Sequence, residues 1–332
     1  MTDTTSTTDT TYRCPYCRMQ SAGGGSSCPS CGAPVDVRLR TTESGWTEMP
    51  PIADMAKIQL GQTSCQIEGS LVPVAELNLA GDDTVYFPHP SLLWQEPSVS
   101  VTTMSLKKAW SRMRAGLPLI MLEAKGPGRI AFSHDKPGEL LCLPIQAGAS
   151  IDVREHQMVL ATGAVSYDWY DSGVYFVTSG GRSAQNDSSG FSLLKVATDA
   201  VGMATDTDTR RDDETEWHYP MGRFVDRFVA GDRPGAVFVQ VGGNAFVRDL
   251  ADGETILVKP PALLFKDPGV RYQLHVEFPA AGMKLWRTWG NRYLWLRLWG
   301  PGRVGLQSGY ERLEDPGSDF RDSSQFTQHL WT

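Results

Sequence analysis

Four of the six cysteines stand in two closely spaced pairs near the start of the chain. Cys14 and Cys17 form one Cys-x-x-Cys turn, and Cys28 and Cys31 form a second one further on. Two such turns direct four thiolates at one ion and complete the tetrahedral shell of a structural zinc site. The spacing therefore predicts one zinc ion in a short zinc ribbon at residues 12–33. Two disulfides, or a redox-active pair, are the alternative interpretations.

A shell of four thiolates leaves no coordination position open for a substrate, so the pattern favours stability or interaction over zinc catalysis. The remaining cysteines, Cys65 and Cys142, lie in apolar, strand-like sequence. Neither has a base beside it in the sequence. We expect both to be reduced residues of the core.

Other catalytic patterns are missing from the sequence. The six histidines show no metal-ligand spacing, and there is no P-loop and no Gly-x-Ser-x-Gly elbow. Two Gly-Pro-Gly-Arg turns begin at Gly126 and Gly300. Proline removes an N–H donor that a phosphate would need, and a strand follows each turn, so these segments are predicted to be hairpin corners. The pattern favours a protein that is not an enzyme.

One strand near the end of the chain carries aromatic and basic residues on a single face. Trp295, Arg297 and Trp299 alternate with three leucines, so the leucines are predicted to face the core. The opposite face is interpreted as a second core layer, as a stacking platform for bases or sugars, or as a protein-contact patch. Lys107 and Lys108 belong to a basic cluster that is either a solvated turn or a phosphate contact.

The elements that must position these residues are predicted to be strands. Among 332 residues there are 33 Gly and 21 Pro, which indicates many turns and suits a β-rich architecture. Lys+Arg 31 against Asp+Glu 38 gives a net charge of −7, and this balance argues against a chain that wraps nucleic acid or an anionic membrane. There is no apolar run long enough to span a bilayer.

The sequence repeats internally. In three windows a β-branched residue is followed by apolar residues at +7 and +8 and by Val at +14, and a Gly turn precedes each window. The windows start at Val85, Ile151 and Ile256. An apolar strand that runs into Gly-Pro-Gly-Arg occurs twice, and a weaker copy is found at Val237–Asn244. We therefore predict an all-β fold of three antiparallel units, packed as one body with pseudo-threefold organisation.

These patterns divide the chain into a disordered tail (1–11), the zinc ribbon (12–33), a linker (34–51), a triple-repeat β domain (52–313) and a C-terminal tail (314–332). The units are placed at about 55–125, 126–241 and 242–310. The second unit is longer than the others, and residues 180–216, rich in Ser, Asp and Thr, are predicted to be an insert.

Several strand and turn segments are similar to those of the Altered Inheritance of Mitochondria protein 24 family. The similar segments are Gly126–Ser133, Pro137–Ile145, Ile151–His156, Gly253–Pro260 and Tyr293–Arg303. The resemblance covers roughly residues 55–310 and implies a β fold of the tryptophan-RNA-attenuation-protein type with repeated units. It also implies a link with inner-membrane organisation, as for the mitochondrial members. The zinc ribbon and the insert depart from the minimal family pattern.

The sequence favours a non-enzymatic scaffold or protein-interaction module with the ribbon as an accessory element. Nucleic-acid binding is the first alternative and small-ligand binding the second. The expected partner is a protein, or a second copy joined through sheet edges. Nucleic acid is not expected as a partner, although peripheral membrane association stays open. The N-terminus has neither a basic start nor an apolar run, so a cytoplasmic location is expected.

Overall fold

The computed structural model describes residues 11–14, 16–22, 27–33, 41–104, 121–134, 136–179, 215–277 and 293–310. Within these ranges the regular elements are β-strands and two short 3-10 helices, which confirms the all-β class. Alternating burial shows why strands form. In residues 63–68, Thr63, Cys65 and Ile67 are buried and their neighbours are partly exposed, as expected when successive side chains point to opposite faces of a sheet.

Five short strands come first along the chain. They are β1 (Thr11–Arg13), β2 (Gln20–Ala22), β3 (Thr47–Met49), β4 (Lys57–Leu60) and β5 (Thr63–Glu68). β1 and β2 form the antiparallel hairpin of the ribbon.

Three sets of six strands follow, and a 3-10 helix joins the second and third strands of the first and third sets. The first set is β6 (Val74–Leu79), β7 (Thr84–Pro88), β8 (Leu92–Gln95), β9 (Ser100–Thr103), β10 (Met121–Lys125) and β11 (Gly128–Phe132). The second set is β12 (Glu139–Ile145), β13 (Ser150–Arg154), β14 (Met158–Thr162), β15 (Val165–Asp171), β18 (Phe224–Ala230) and β19 (Gly235–Val241); a hairpin of β16 (Phe176–Ser179) and β17 (Thr215–His218) comes before β18. The third set is β20 (Ala245–Leu250), β21 (Thr255–Val258), β22 (Leu263–Lys266), β23 (Arg271–Glu277), β24 (Tyr293–Trp299) and β25 (Gly302–Gln307).

The same antiparallel pairing occurs in each set. The second strand pairs with the fifth and the fifth with the fourth, while the sixth strand pairs with both the first and the third. Val85, Ile151 and Ile256 each hold the second position of the second strand. Val85 and Ile151 are buried and Ile256 is partly exposed. A threefold rotation that relates the three sets stays a prediction.

Adjacent sets are joined at seams, each formed by the third strand of one set and the second strand of the set before it. β14 pairs with β7, and β22 pairs with β13. Each seam makes one long sheet from parts of two sets, with strand orders β12-β19-β14-β7-β10-β9 and β15-β18-β13-β22-β25-β20-β3. Buried side chains between the sheets form three apolar clusters, the first of which includes the ribbon cysteines.

Two expectations from the sequence need correction. The Gly126 and Gly300 turns are not hairpin corners, because the strands on either side of each turn belong to different sheets. Each turn therefore moves the chain from one sheet to another. The Val237–Asn244 segment runs from β19, the sixth strand of the second set, to the start of β20, the first strand of the third set. It is therefore not a copy of these turns. In the second set the equivalent turn lies at 231–234, between β18 and β19.

Part of the predicted linker is folded. β3, at residues 47–49, pairs with β20 through Ala245, and Met49 is buried in the second apolar cluster. The burial of Met49 explains why this stretch forms an edge strand rather than linker. Residues 180–214 of the predicted insert and both predicted tails, apart from residue 11, lie outside the described residues.

Candidate functional site

The two Cys-x-x-Cys turns have the same backbone hydrogen bonds. In the first, the Cys14 N–H donates to the Met19 carbonyl over 3.0 Å, and the Arg18 N–H donates to the Cys14 carbonyl over 2.9 Å. In the second turn, the Cys28 N–H donates to Ala33 over 2.7 Å, and the Gly32 N–H donates to Cys28 over 2.8 Å. The repeated arrangement turns both pairs of thiols toward a common point.

The residue after each pair has a positive φ angle, 62° at Arg18 and 70° at Gly32. Only the glycine was an evident candidate for this left-handed conformation from sequence. Gly32 also lies close to the β body, because a Cβ at this position would come within 2.6 Å of Ile52 Cγ2.

The four thiols form a buried cluster in which all the sulfur atoms lie within 4.8 Å of one another. The Cys14 and Cys31 Sγ atoms are 3.8 Å apart, and those of Cys17 and Cys28 are 3.7 Å apart. A tetrahedral site with a Zn–S length of about 2.3 Å has sulfurs separated by about 3.8 Å, whereas a disulfide requires about 2.05 Å. The cluster is therefore compatible with zinc, and the cysteines are free thiols rather than disulfides.

Contacts among the thiols set their proton affinities. Hydrogen bonding with Cys17 lowers the pKa of Cys14 to about 6, and hydrogen bonding with Cys14 lowers the pKa of Cys28. The same network raises the pKa of Cys17 and Cys31. Protons remain in the cluster near neutral pH, so a metal that bound all four sulfurs would release them.

The ribbon is packed against the β body. The Gln59 N–H of β4 donates to the Pro29 carbonyl over 2.7 Å, and the Cys142 thiol of β12 donates to the Ser30 carbonyl over 3.3 Å. An ion pair also joins Arg18 to Asp249 of β20. These contacts come from three different strands, so the ribbon has a defined position on the body.

The other two cysteines belong to the core, as predicted. Cys65 and Cys142 are buried, and burial raises the pKa of each thiol. Thiols with raised pKa values are poor nucleophiles at neutral pH.

The leucines of β24 are buried and Trp295, Arg297 and Trp299 on the other face are partly exposed, which confirms the predicted core face. Trp295 Nε1 donates to Glu277 over 2.8 Å, and Lys259 Nζ lies 4.1 Å from the Trp295 ring centre. Lys107 and Lys108 lie outside the described residues.

A buried charged network was missed from the sequence. Asp152 of β13 accepts hydrogen bonds from Arg227 at 2.6 and 2.9 Å, from Lys266 at 2.8 Å and from Tyr170 at 2.9 Å. Burial raises the pKa of Asp152, but Arg227 and Lys266 lower it more, and the carboxyl is held below its usual range. An Asp between Ile151 and Val153 in an apolar strand was the available sequence signal. Both carboxylate oxygens of Asp152 accept hydrogen bonds within this network. The network is therefore a structural feature of the second seam.

A second acidic group lies where β3 meets the body. Asn244 Nδ2 is 3.3 Å from Glu48 Oε1 and 3.4 Å from Glu139 Oε1. Glu139 Oε2 is buried and has no hydrogen-bond partner among the described residues. Burial, followed by the nearby Glu48 charge, raises the pKa of Glu139 to about 7.

A cleft of about 330 Å³ opens between the ribbon and the body. Its lining includes Met19 and Ser30 of the ribbon and Asp82, Asp83 and Arg233 of the body. Asp82 pairs with Lys125 at 2.9 Å, and Asp83 accepts a hydrogen bond from Thr63 at 2.7 Å. Both carboxylates thus already have partners in the protein.

The described residues thus define an all-β protein with a buried four-cysteine centre that is compatible with zinc. None of them forms a helix with the length and apolar character needed to cross a membrane. The chain belongs to the AIM24 family, described as mitochondrial biogenesis AIM24, whose family model matches residues 65–309. The match begins after the ribbon, so the four-cysteine centre lies outside the matched residues.

Among solved structures, the chain is similar to that of protein SPYM3_0169 from Streptococcus pyogenes. The two sequences are 15% identical, and the match covers 75% of this chain and 94% of that one with a TM-score of 0.47. No curated protein matches the chain.

Proposed function

We propose that the chain is a non-enzymatic scaffold in which the zinc ribbon and the β body form one platform for protein partners. The docking of the ribbon carries this proposal. Hydrogen bonds from β4 and β12 hold Pro29 and Ser30, and the ribbon cysteines share an apolar cluster with Ile52 and Ile58. A partner that contacts the ribbon would therefore meet the body in a fixed orientation.

The chemistry of the site supports the same function. Four thiolates around one zinc ion leave no position for a substrate, so a bound zinc would supply stability. Membership of the AIM24 family is consistent with a role in organising other proteins. A cytoplasmic location stays a prediction.

The proposal is tested by cross-linking in cells, followed by purification and identification of the linked proteins. The wild type is compared with Cys17→Ser/Cys28→Ser, which removes two zinc ligands, and with Cys65→Ala, which removes a buried cysteine outside the cluster. We expect adducts with proteins other than the chain itself for the wild type and for Cys65→Ala, and a marked loss of these adducts for the double variant. Adducts that disappear on nuclease treatment, or the absence of any protein adduct above background, would contradict the proposal.

Nucleic-acid binding is the second candidate, favoured by the contact between Lys259 and Trp295 on a face that also carries Arg297. Cation and ring in this arrangement suit a stacked base beside a phosphate. The net charge of −7 opposes tight binding. Titration with single-stranded RNA should show only weak, non-specific binding near physiological salt. A submicromolar, salt-sensitive complex that Trp295→Ala abolishes and Trp94→Ala retains would reverse the ranking.

A further inference from the structure

Two seams join the strand sets, and the strands that would make a third are both at sheet edges. The third strand of the first set is β8 and the second strand of the third set is β21. Among the described residues, β8 pairs only with β11, and β21 pairs only with β24. The sheets end there, with orders β4-β5-β6-β11-β8 and β21-β24-β23.

Both existing seams have the same register. Ala161, the fourth residue of β14, lies opposite Tyr86, the third residue of β7. Lys266, the fourth residue of β22, lies opposite Asp152, the third residue of β13. The same rule applied to β8 and β21 places Gln95 opposite Leu257.

Side-chain burial differs where the seam is missing. On β8, Leu93 is 55% exposed and Trp94 is 39% exposed, and on β21 Leu257 is 40% exposed. The residues at the corresponding positions of the existing seams are all buried. Val159 and Leu264 correspond to Leu93, Leu160 and Phe265 correspond to Trp94, and Tyr86 and Asp152 correspond to Leu257. The exposure is therefore associated with the unpaired edges.

β8 is bulged at Leu93 where it pairs with β11, but β14 and β22 have the same irregularity against β19 and β25 and still pair across their seams. Neither open edge carries the charges or prolines that would prevent pairing with another chain. Natural edge strands are protected by charged residues, prolines or bulges on the open side. The four residues of β8 are Leu-Leu-Trp-Gln and those of β21 are Thr-Ile-Leu-Val, with no charge and no proline. An uncharged edge with exposed apolar side chains is a template for strand addition.

We propose that β8 of one chain pairs with β21 of a second copy of the same chain, in the register Gln95 opposite Leu257. Each copy carries both strands of the missing seam. Within the chain, the strands equivalent to β8 (β14 and β22) already pair with the strands equivalent to β21 (β7 and β13). The joined sheet would contain all five strands that end at β8 and all three that end at β21. This inference rests on the scaffold function proposed above and names the surface through which the scaffold would assemble.

The contact is heterologous, because each copy uses a different edge on each side. Such contacts close into rings if the rotation allows and otherwise extend into open chains. The zinc ribbon contributes no residue to either edge, so assembly is expected to be independent of the metal.

Cysteine cross-linking tests the register. Gln95→Cys and Leu257→Cys are placed on separate copies with different tags, mixed and oxidised under mild conditions. We expect a disulfide between the two tagged copies, which is absent when Leu71→Cys replaces Gln95→Cys. Leu71 is 73% exposed and lies on neither edge. If Gln95→Cys/Leu257→Cys in one chain gives only an internal disulfide, the seam closes within the chain and the proposal is overturned.

Assembly state provides the second measurement. By sedimentation or light scattering the wild type should be larger than a monomer. Trp94→Lys and Leu257→Lys should be monomeric with unchanged circular dichroism, and Leu71→Lys should still assemble. A wild type that stays monomeric at high concentration would refute self-association and leave the scaffold proposal to its own test, since a scaffold with a different partner would still give protein adducts.

Discussion

Asp152 and Lys266 lie opposite each other across the seam between β13 and β22, and the Lys266 Nζ donates to Asp152 Oδ2 over 2.8 Å. Both side chains are almost fully buried, whereas that of Arg227 is 38% exposed. The charge pair therefore joins the second and third strand sets in a place where water has little access.

Asp152→Ala is expected to destabilise the protein by about 3–5 kcal/mol, because it leaves the Lys266 ammonium buried without a counter-charge. Asp152→Ala/Lys266→Met should recover part of this loss, since Arg227 can be hydrated. Urea unfolding of both variants measures the difference. Equal destabilisation of the single and double variants would contradict the expected cost of an unpaired Lys266 ammonium.

The pKa of Asp152 is lowered from 3.8, so its ionised form is favoured in the folded state. The resulting stability is fully present above pH 3.8 and is lost as the pH falls below 3.8 through the folded pKa. The wild type should therefore lose more stability than Asp152→Asn as the pH is lowered below about 4. Parallel loss in the two proteins would place the acid sensitivity at other carboxyl groups.

Glu139 has the opposite dependence. Its pKa is raised from 4.5 to about 7, so the folded state holds a proton that the unfolded state releases, and stability falls as the pH rises across this range. Glu139→Gln should remove this decline, and thermal unfolding at several pH values measures it. Glu48→Gln should move the decline to lower pH, because the Glu48 charge contributes to the raised pKa. A decline that persists in Glu139→Gln would contradict the assignment.

Zinc is expected at one ion per chain in protein purified under reducing conditions, as measured by elemental analysis. Cys28→Ser should lose the metal and lower the free energy of unfolding of the body by roughly 1–3 kcal/mol, because the ribbon covers Ile52 and Ile58. Cys65→Ala is a control that should retain the metal even if it is less stable. Wild-type protein without zinc would contradict the metal assignment.

The docking of the ribbon is tested by two glycines with the same backbone conformation. Gly32 and Gly61 have φ angles of 70° and 68°, but a Cβ meets Ile52 at Gly32 and meets no atom within 4 Å at Gly61. Gly61→Ala should cost about 1–2 kcal/mol from backbone strain alone. Gly32→Ala should cost about 1–3 kcal/mol more, because of the clash. Similar losses in urea unfolding would mean that the ribbon is not held against the body.

The four-cysteine centre could be predicted from sequence because its ligands lie within 18 residues of one another and their spacing reflects local geometry. The contacts of Asp152 could not, since its partners Arg227 and Lys266 are 75 and 114 residues away. β3 was missed for the same reason. Its partner strand begins at Ala245, and nothing in residues 47–49 alone distinguishes an edge strand from linker.

The internal repeat was detectable because apolar residues recur at fixed spacing before Gly turns. The comparison of Val237–Asn244 with the Gly-Pro-Gly-Arg segments was wrong. Glycines follow the fifth strand of a set in the Gly-Pro-Gly-Arg segments, but they follow the sixth strand of a set at Val237–Asn244. Only the pairing of the strands distinguishes a fifth strand from a sixth. The open edges at β8 and β21 were equally invisible, because an edge is defined by the neighbour that a strand lacks.

The β16–β17 hairpin brings Ser179 and Thr215 opposite each other in register. The chain thus leaves the body and returns to it at almost the same point, whatever its course between residues 180 and 214. Because lengthening a closed loop adds little entropic cost, a change in the length of the intervening sequence should have little effect on the stability of the strands on either side. This position is accordingly a natural graft point, where a reporter domain, an affinity tag or a new pair of termini could be introduced while the rest of the protein keeps its connectivity.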